Sequence, residues 1–233
     1  SGPSKDSIYM TIYDGDRLIR SLKKKTPDSS GIYKWTWYMN EAGGDSPSRK
    51  IRKRKNESSG SDVKPGIYKI VLSNNGLSTQ TLITVASDPR LDVSQKAIDE
   101  GYQNAKTIQR MTQVAADVVK QLVESKNTVA NFSKSLKKQD KNEHKEAITK
   151  STKISETIEN LIALYIGKED KRQGITRNPD VTVINRINAA RWYGSSRPDG
   201  MTQTEKTLLK HAQDQLNAAL DETNTFFEKD WLA

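Results

Sequence analysis

At 233 residues the chain has enough material for one large domain or two small ones, each with its own core. Its 33% hydrophobic and 29% charged residues make it polar for a globular chain, as expected of long amphipathic helices with wide solvated faces. The net charge of +9 permits polyanion binding without requiring it, and the absence of cysteine excludes disulfides, thiolate chemistry and cysteine-ligated metal. No apolar run approaches the ~18 residues of a membrane span. There is no signal peptide or initiator methionine, and Ser1-Gly2-Pro3-Ser4 reads as a processing remnant, so a fragment of something larger is expected.

Strand character comes first. Ser7 to Tyr13 and Arg17 to Leu22 flank Asp14-Gly15-Asp16, which suits a two- or three-residue hairpin turn. The period-2 rule puts Ile8, Met10 and Ile12 on one face and Tyr9, Thr11 and Tyr13 on the other. After a polar stretch, Gly31 to Met39 reads as a further strand with Tyr33, Trp35, Trp37 and Met39 on one face. Such a stripe is expected to fill the gap between the sheets of a small sandwich. The alternative is a sugar-stacking surface built from Trp35, Trp37 or Tyr38.

Asn40 to Lys64 has no periodicity and reads as a long mobile loop between two strands. It carries the cations Arg49, Lys50, Arg52, Lys53, Arg54 and Lys55, a candidate contact for a polyanion such as an acidic glycan or lipid headgroup. The bland reading, a solvated and self-repelling loop, is preferred. No aromatics interleave the cations, so a base-stacking platform for nucleic acid is not expected. Pro65-Gly66 then opens a second hairpin. Ile67 to Leu72 and Thr79 to Val85 are its strands, and Asn74-Asn75-Gly76 supplies the positive-φ turn. Asp88-Pro89-Arg90 closes the strand region, because a residue before proline is pushed out of helical geometry. Arg90 is expected to span a domain interface with its guanidinium fork, the alternative being a solvated hinge.

Gly31-Ile32 through Trp37, Ser46-Pro47-Ser48-Arg49, Pro65-Gly66-Ile67-Tyr68 and Asp88-Pro89-Arg90-Leu91 carry a family likeness in their order and spacing. The chain resembles the C-terminal region of bacterial sortilin-like β-propeller proteins, often labelled glycosyl hydrolases or Asp-box repeat proteins. The likeness covers Ser7 to about Leu91, and the helices more loosely. It implies an Ig/fibronectin-like sandwich and a helical tail following a propeller, in a periplasmic, cell-envelope or secreted protein. The propeller's S-x-D-x-G-x-T-W boxes are not in this sequence, so no propeller activity transfers to it. Relatives often have Asp after the tryptophan where this chain has Tyr38, and a strand they place before Ser7 is missing, which is expected to expose a sheet edge.

From Ser94, a plausible N-cap, apolar residues recur at helical spacing through Leu136 and predict one helix of around forty residues. A second helix is predicted over 143–166 with Gly167 as its C-terminal cap, and a third from Asn178-Pro179 to about Trp192. Thr202-x-x-Glu205 is a capping box for a fourth. Trp192-Tyr193 and the Phe226-Phe227-Trp231 cluster are expected in the core at the bundle ends.

The predicted class is therefore α+β with two domains. Residues 1–91 form an antiparallel Ig/fibronectin-like β-sandwich, with a mobile basic loop at 40–64, and residues 92–233 form an antiparallel bundle of about four helices. His144 and His211 lack a second ligand at metal spacing, and no P-loop, G-x-S-x-G or G-x-G-x-x-G occurs. No catalytic residue, cofactor or metal is expected, and the chain reads as non-enzymatic, although a parent protein of glycosidase type is compatible with that. The expected role is an accessory module that docks on the propeller of its parent, on a glycan or on another envelope protein.

Overall fold

The computed structural model describes residues 7–51, 57–139, 142–169, 181–195 and 200–231. Over these the chain is α+β, with antiparallel sheets of six strands and four α-helices. The strands are β1 (Ser7–Asp14), β2 (Arg17–Lys25), β3 (Asn40–Ala42), β4 (Ser59–Asp62), β5 (Gly66–Asn74) and β6 (Leu77–Val85). The helices are α1 (Gln95–Gln139), α2 (Lys145–Ile166), α3 (Val183–Gly194) and α4 (Gln203–Phe226), and a π-helical turn follows at Phe227–Trp231. By contact the chain groups into two units. The first holds 1–44, 53–109 and 198–200, and the second 45–52, 110–197 and 201–233. The division runs inside α1, eighteen residues beyond the boundary drawn at 91/92 from the sequence.

Both hairpins form where turn chemistry places them. Asn75 at φ 48° and Gly76 at φ 82° make the two-residue loop between β5 and β6, and Gly15 at φ 60° serves the loop between β1 and β2. The four long strands form one antiparallel sheet in the order β2-β1-β5-β6. Met10 and Ile12 of β1, Ile19 of β2 and Tyr68 of β5 are the buried centre of its inner face, and Leu22, Ile70, Ile83 and Val85 pack around them. Pairing slips between Ile12↔Arg20 and Tyr13↔Leu18, which leaves Ile19 as an extra residue in β2. Such a bulge lets two consecutive residues turn inward, and both Ile19 and Arg20 are buried.

The aromatic stretch departs from expectation. Residues 31–39 are not a strand, and the extended pairing begins only at Asn40. Met39 sits at φ 54°, outside extended geometry, and Tyr33, Tyr38 and Met39 are exposed. Trp35 and Trp37 alone lean on the sheet core. Trp37 meets Tyr68 edge-on with ring centroids 5.6 Å apart and donates its indole N–H to the Asn40 carbonyl at 2.8 Å. The supposed structureless loop is ordered at its ends, where β3 and β4 pair Asn40↔Asp62 and Ala42↔Ser59. Glycine permits that approach. A Cβ on Gly43 would lie 2.3 Å from the Ser59 carbonyl oxygen, and one on Gly60 2.5 Å from that of Ala42. β1 lies between β2 and β5, so the edge strands of the sheet are β2 and β6.

In the second unit the helices begin at local caps. Thr202 and Glu205 form the reciprocal capping box of α4, and the head of α1, which belongs to the first unit, is capped by Ser94 accepting from the Ala97 N–H at 3.2 Å. α3 starts at Val183, with Thr182 capping the Asn185 N–H at 3.2 Å, while the expected Pro179 start lies outside the described residues. α2, α3 and α4 pack on one another. Ile158, Ile162, Tyr165, Ile187, Ala212 and Leu216 are buried, and Tyr165 and Thr223 share a hydroxyl hydrogen bond of 2.9 Å. The Phe226, Phe227 and Trp231 rings meet edge-on or tilted with centroids within 6.3 Å, but only Phe226 is buried, and Trp192 and Tyr193 are exposed rather than core.

Candidate functional site

Each unit holds one carboxylate bracketed by cations. In the first, Glu41 sits on β3 and is buried to 4% exposure. Arg17 of β2 reaches both its oxygens, with Nη1 at 3.1 Å from Oε2 and Nη2 at 2.9 Å from Oε1. α1 adds Tyr102, whose hydroxyl donates to Oε1 at 2.5 Å, and Lys106, whose Nζ is 2.8 Å from Oε2. Tyr102 and Lys106 are four apart and therefore share a helix face. Burial alone would push the Glu41 carboxyl up, but donors from Arg17, Lys106 and Tyr102 outweigh it and bring the group down to about 2. The same contact raises Arg17. Beside it, the buried Arg20 donates to the carbonyls of Glu41 (2.9 Å) and Ser58, tying β2 to the β3–β4 ribbon. Chemically Glu41 is a pinned anion: it has no proton to give near neutral pH, and its lone pairs are occupied.

In the second unit Glu159 of α2 plays the same part. Lys126 of α1 approaches Oε2 at 2.6 Å, and Arg49 approaches Oε1 through Nε at 2.9 Å and Nη2 at 2.7 Å. Arg49 also donates to the Gly167 carbonyl at 2.6 Å. Burial raises the Glu159 carboxyl, but Lys126 and Arg49 outweigh it and hold it below its ordinary value. Arg49, a candidate polyanion contact, therefore has its guanidinium occupied within its own unit. Lys50 is exposed, and Arg52, Lys53, Arg54 and Lys55 lie outside the described residues.

The other candidates separate. Tyr38 is 76% exposed, whereas Trp35 and Trp37 are half-buried against the core, so the three do not form one flat platform. At the expected junction, Arg90 turns back on Asp88, with Nη2 2.6 Å from Oδ2 and Nε 2.9 Å from Oδ1. Asp88 also accepts the Arg90 backbone N–H at 3.0 Å, as an Asx-type turn does. Arg90 is 85% exposed on its side chain, so it is a local staple rather than an interdomain bridge.

Two features escaped the sequence reading. One is the outer face of the four-stranded sheet. Leu18, Tyr13, Lys69 and Leu82 form a continuous row across β2, β1, β5 and β6 by register. Leu18, Ile67 and Leu82 are exposed, and Lys69 and Lys23 hold their ammonium groups 4.9 and 5.4 Å from the Tyr13 and Tyr9 ring centroids. Alternation placed Tyr9, Thr11 and Tyr13 on one face of β1, but nothing local said which face meets water or what the other strands add to it. The other is an apolar cavity of about 330 Å³ between α1 and α2, lined by Val129, Phe132, Ala147, Lys150, Ser151 and Ile154 among others. Among the described residues no group of three His, Cys, Asp or Glu could hold a metal ion, and no helix is long and apolar enough to cross a membrane. Compared with family models, curated proteins and solved structures, the chain matches none.

Proposed function

We propose that the chain is a non-catalytic interaction module of a larger bacterial envelope or secreted protein of the sortilin-like propeller type. In this reading its strand-rich part is an Ig/fibronectin-like sandwich, its helices form a bundle, and the module docks on the propeller or on a partner protein. The observation that carries the reading is the outer sheet face, where Leu18, Ile67 and Leu82 stand in water around the Tyr13–Lys69 pair. An apolar row rimmed by polar side chains is the form a protein-binding patch takes. The best-placed carboxylates, Glu41 and Glu159, are each bound by two cations and hold the fold, which supports a binding rather than a catalytic role.

The test is binding of the purified chain to the propeller of its parent, measured by calorimetry, alongside glycan and peptide hydrolysis panels. Expected are inert panels and a saturable interaction that weakens at least ~10-fold with Leu82→Asp, since a buried apolar anchor is typically worth more than 1 kcal/mol. Hydrolysis by the isolated chain, or an affinity indifferent to Leu82→Asp, would overturn the reading. The glycan alternative rests on the exposed Tyr38, and the polyanion alternative on Lys50 with the cations that follow it.

A further inference from the structure

β6 is an edge strand of nine residues, and among the described residues nothing pairs with its outer side. Its sequence, LSTQTLITV, contains no charge and no proline, and its pairing with β5 runs without a bulge from Asn74↔Leu77 to Gly66↔Val85. Leu77 is 78% and Leu82 67% exposed, on opposite faces of the strand. Bare edges of this kind are templates for another strand, and proteins usually guard them with lysine, proline or a bulge. The opposite edge is so guarded: β2 has the Ile19 bulge and carries Arg17, Arg20, Lys23, Lys24 and Lys25.

The register fixes which groups are free. A two-residue loop makes Asn74 and Leu77 exchange both ladder hydrogen bonds, and bonded pairs then alternate along the hairpin. Thr79, Thr81, Ile83 and Val85 therefore bond inward to β5, and Ser78, Gln80, Leu82 and Thr84 point their N–H and C=O groups outward. These outward residues are symmetric about Thr81, the midpoint of the strand. Laid antiparallel on itself about Thr81, β6 sets Gln80 opposite Leu82 and Ser78 opposite Thr84, so every outward group finds an outward group, giving about eight hydrogen bonds. On the inner face Leu77 meets Val85, Thr79 meets Ile83, and Thr81 meets its own copy. No like charges oppose one another, although the whole chain carries +9.

We propose that β6 pairs antiparallel with β6 of a second copy of this chain about a two-fold axis at Thr81, joining two four-stranded sheets into one. Charge selects this occupant. An acidic strand would favour the Lys23–Lys25 end of β2, since Arg17 and Arg20 are held by Glu41 and the β3–β4 ribbon, whereas the uncharged β6 edge is where two strongly cationic copies meet without repulsion in the ladder. The proposal rests on the interaction-module reading and names one partner for it. The two fail separately, since a chain that stays monomeric yet binds a propeller leaves the module reading intact.

Edge pairing alone buries less than the ~1,200–2,000 Å² of a stable interface, so the expected dimer is weak, with a Kd on the order of 100 µM. Sedimentation velocity from ~10 µM to ~1 mM spans that range. Amide exchange over the same series reads the register: protection of Gln80 and Leu82 rises with concentration, while that of Thr79 and Thr81 stays constant. Thr81→Lys puts two ammonium groups directly opposite at the axis and is expected to weaken dimerisation at least ~10-fold, while Thr81→Val, a β-branched pair at the same point, keeps or tightens it. A chain still monomeric at ~1 mM overturns the proposal. So does a dimer that Thr81→Lys leaves unchanged, or one whose concentration-dependent protection falls outside β6.

Discussion

Glu41→Gln tests whether the buried carboxylate holds the first unit together. Its carboxyl falls from an ordinary 4.5 to about 2 in the fold. At about 1.4 kcal/mol per pH unit, that corresponds to ~3 kcal/mol of stability at neutral pH. Because the folded value is the lower one, this stability is fully present above about pH 5 and is lost as pH falls towards 2. Glutamine keeps the shape but removes the charge. The cations it abandons, Arg17 and Lys106, are 48% and 28% exposed and can rehydrate, so the loss sits nearer 2 than 4 kcal/mol. The assay is urea unfolding followed by fluorescence of Trp35 and Trp37, with Trp192 and Trp231 replaced by phenylalanine so that only the first unit reports. The gap between parent and variant is the quantity to follow, since other acid-labile carboxylates, such as Glu159 and Asp99, are common to both. It should be ~2–3 kcal/mol at pH 7 and close as pH falls from 5 to 2. A gap below ~1 kcal/mol at pH 7, or one that stays constant down to pH 2, would refute the reasoning.

Two glycine substitutions should have opposite signs. Gly60→Ala forces a Cβ to within 2.5 Å of the Ala42 carbonyl and should cost ~1–3 kcal/mol, while Gly101→Ala, with nothing within 4 Å and a helical backbone, should stabilise by ~0.5–1 kcal/mol. Equal effects in chemical denaturation would contradict the β3–β4 approach. Arg90→Ala should leave the melting temperature and the cooperativity of unfolding at parental values, because its guanidinium is exposed on Asp88. A drop of several degrees in calorimetry would restore the interdomain role that Arg90 loses in the structure.

What could be read in the sequence was local chemistry. Asn75-Gly76 needs only its own backbone preferences to turn β5 into β6, and Thr202 needs only Glu205 to start α4. Misreadings begin where several local partners compete. Arg90 was assigned to a distant interface, but an Asp two residues away closes a tighter ring at far smaller entropic cost. The Gly31–Met39 stripe has strand composition, yet composition does not supply a neighbouring strand, and without one the two tryptophans pack while the backbone stays unladdered. The Glu41 site needs residues from Arg17 to Lys106, and no window that a periodicity argument uses spans that separation.

The free edge follows the same logic. Alternation identifies a strand and its two faces but is silent on whether a strand lies at the centre or the rim of its sheet. The strand missing before Ser7 predicted an exposed edge without saying which strand would carry it. β1 lies inside the sheet, because β5 pairs with it across about sixty residues, Met10↔Leu72 and Ile12↔Ile70, and pushes its own hairpin partner outward. β6 then becomes the rim. Its composition held the clue: a strand that has a neighbour on only one side yet carries no lysine, no proline and no bulge lacks the usual defences of an edge. Order within the sheet turns that bland sequence into a pairing surface, and Thr81 at its midpoint is where two copies would meet.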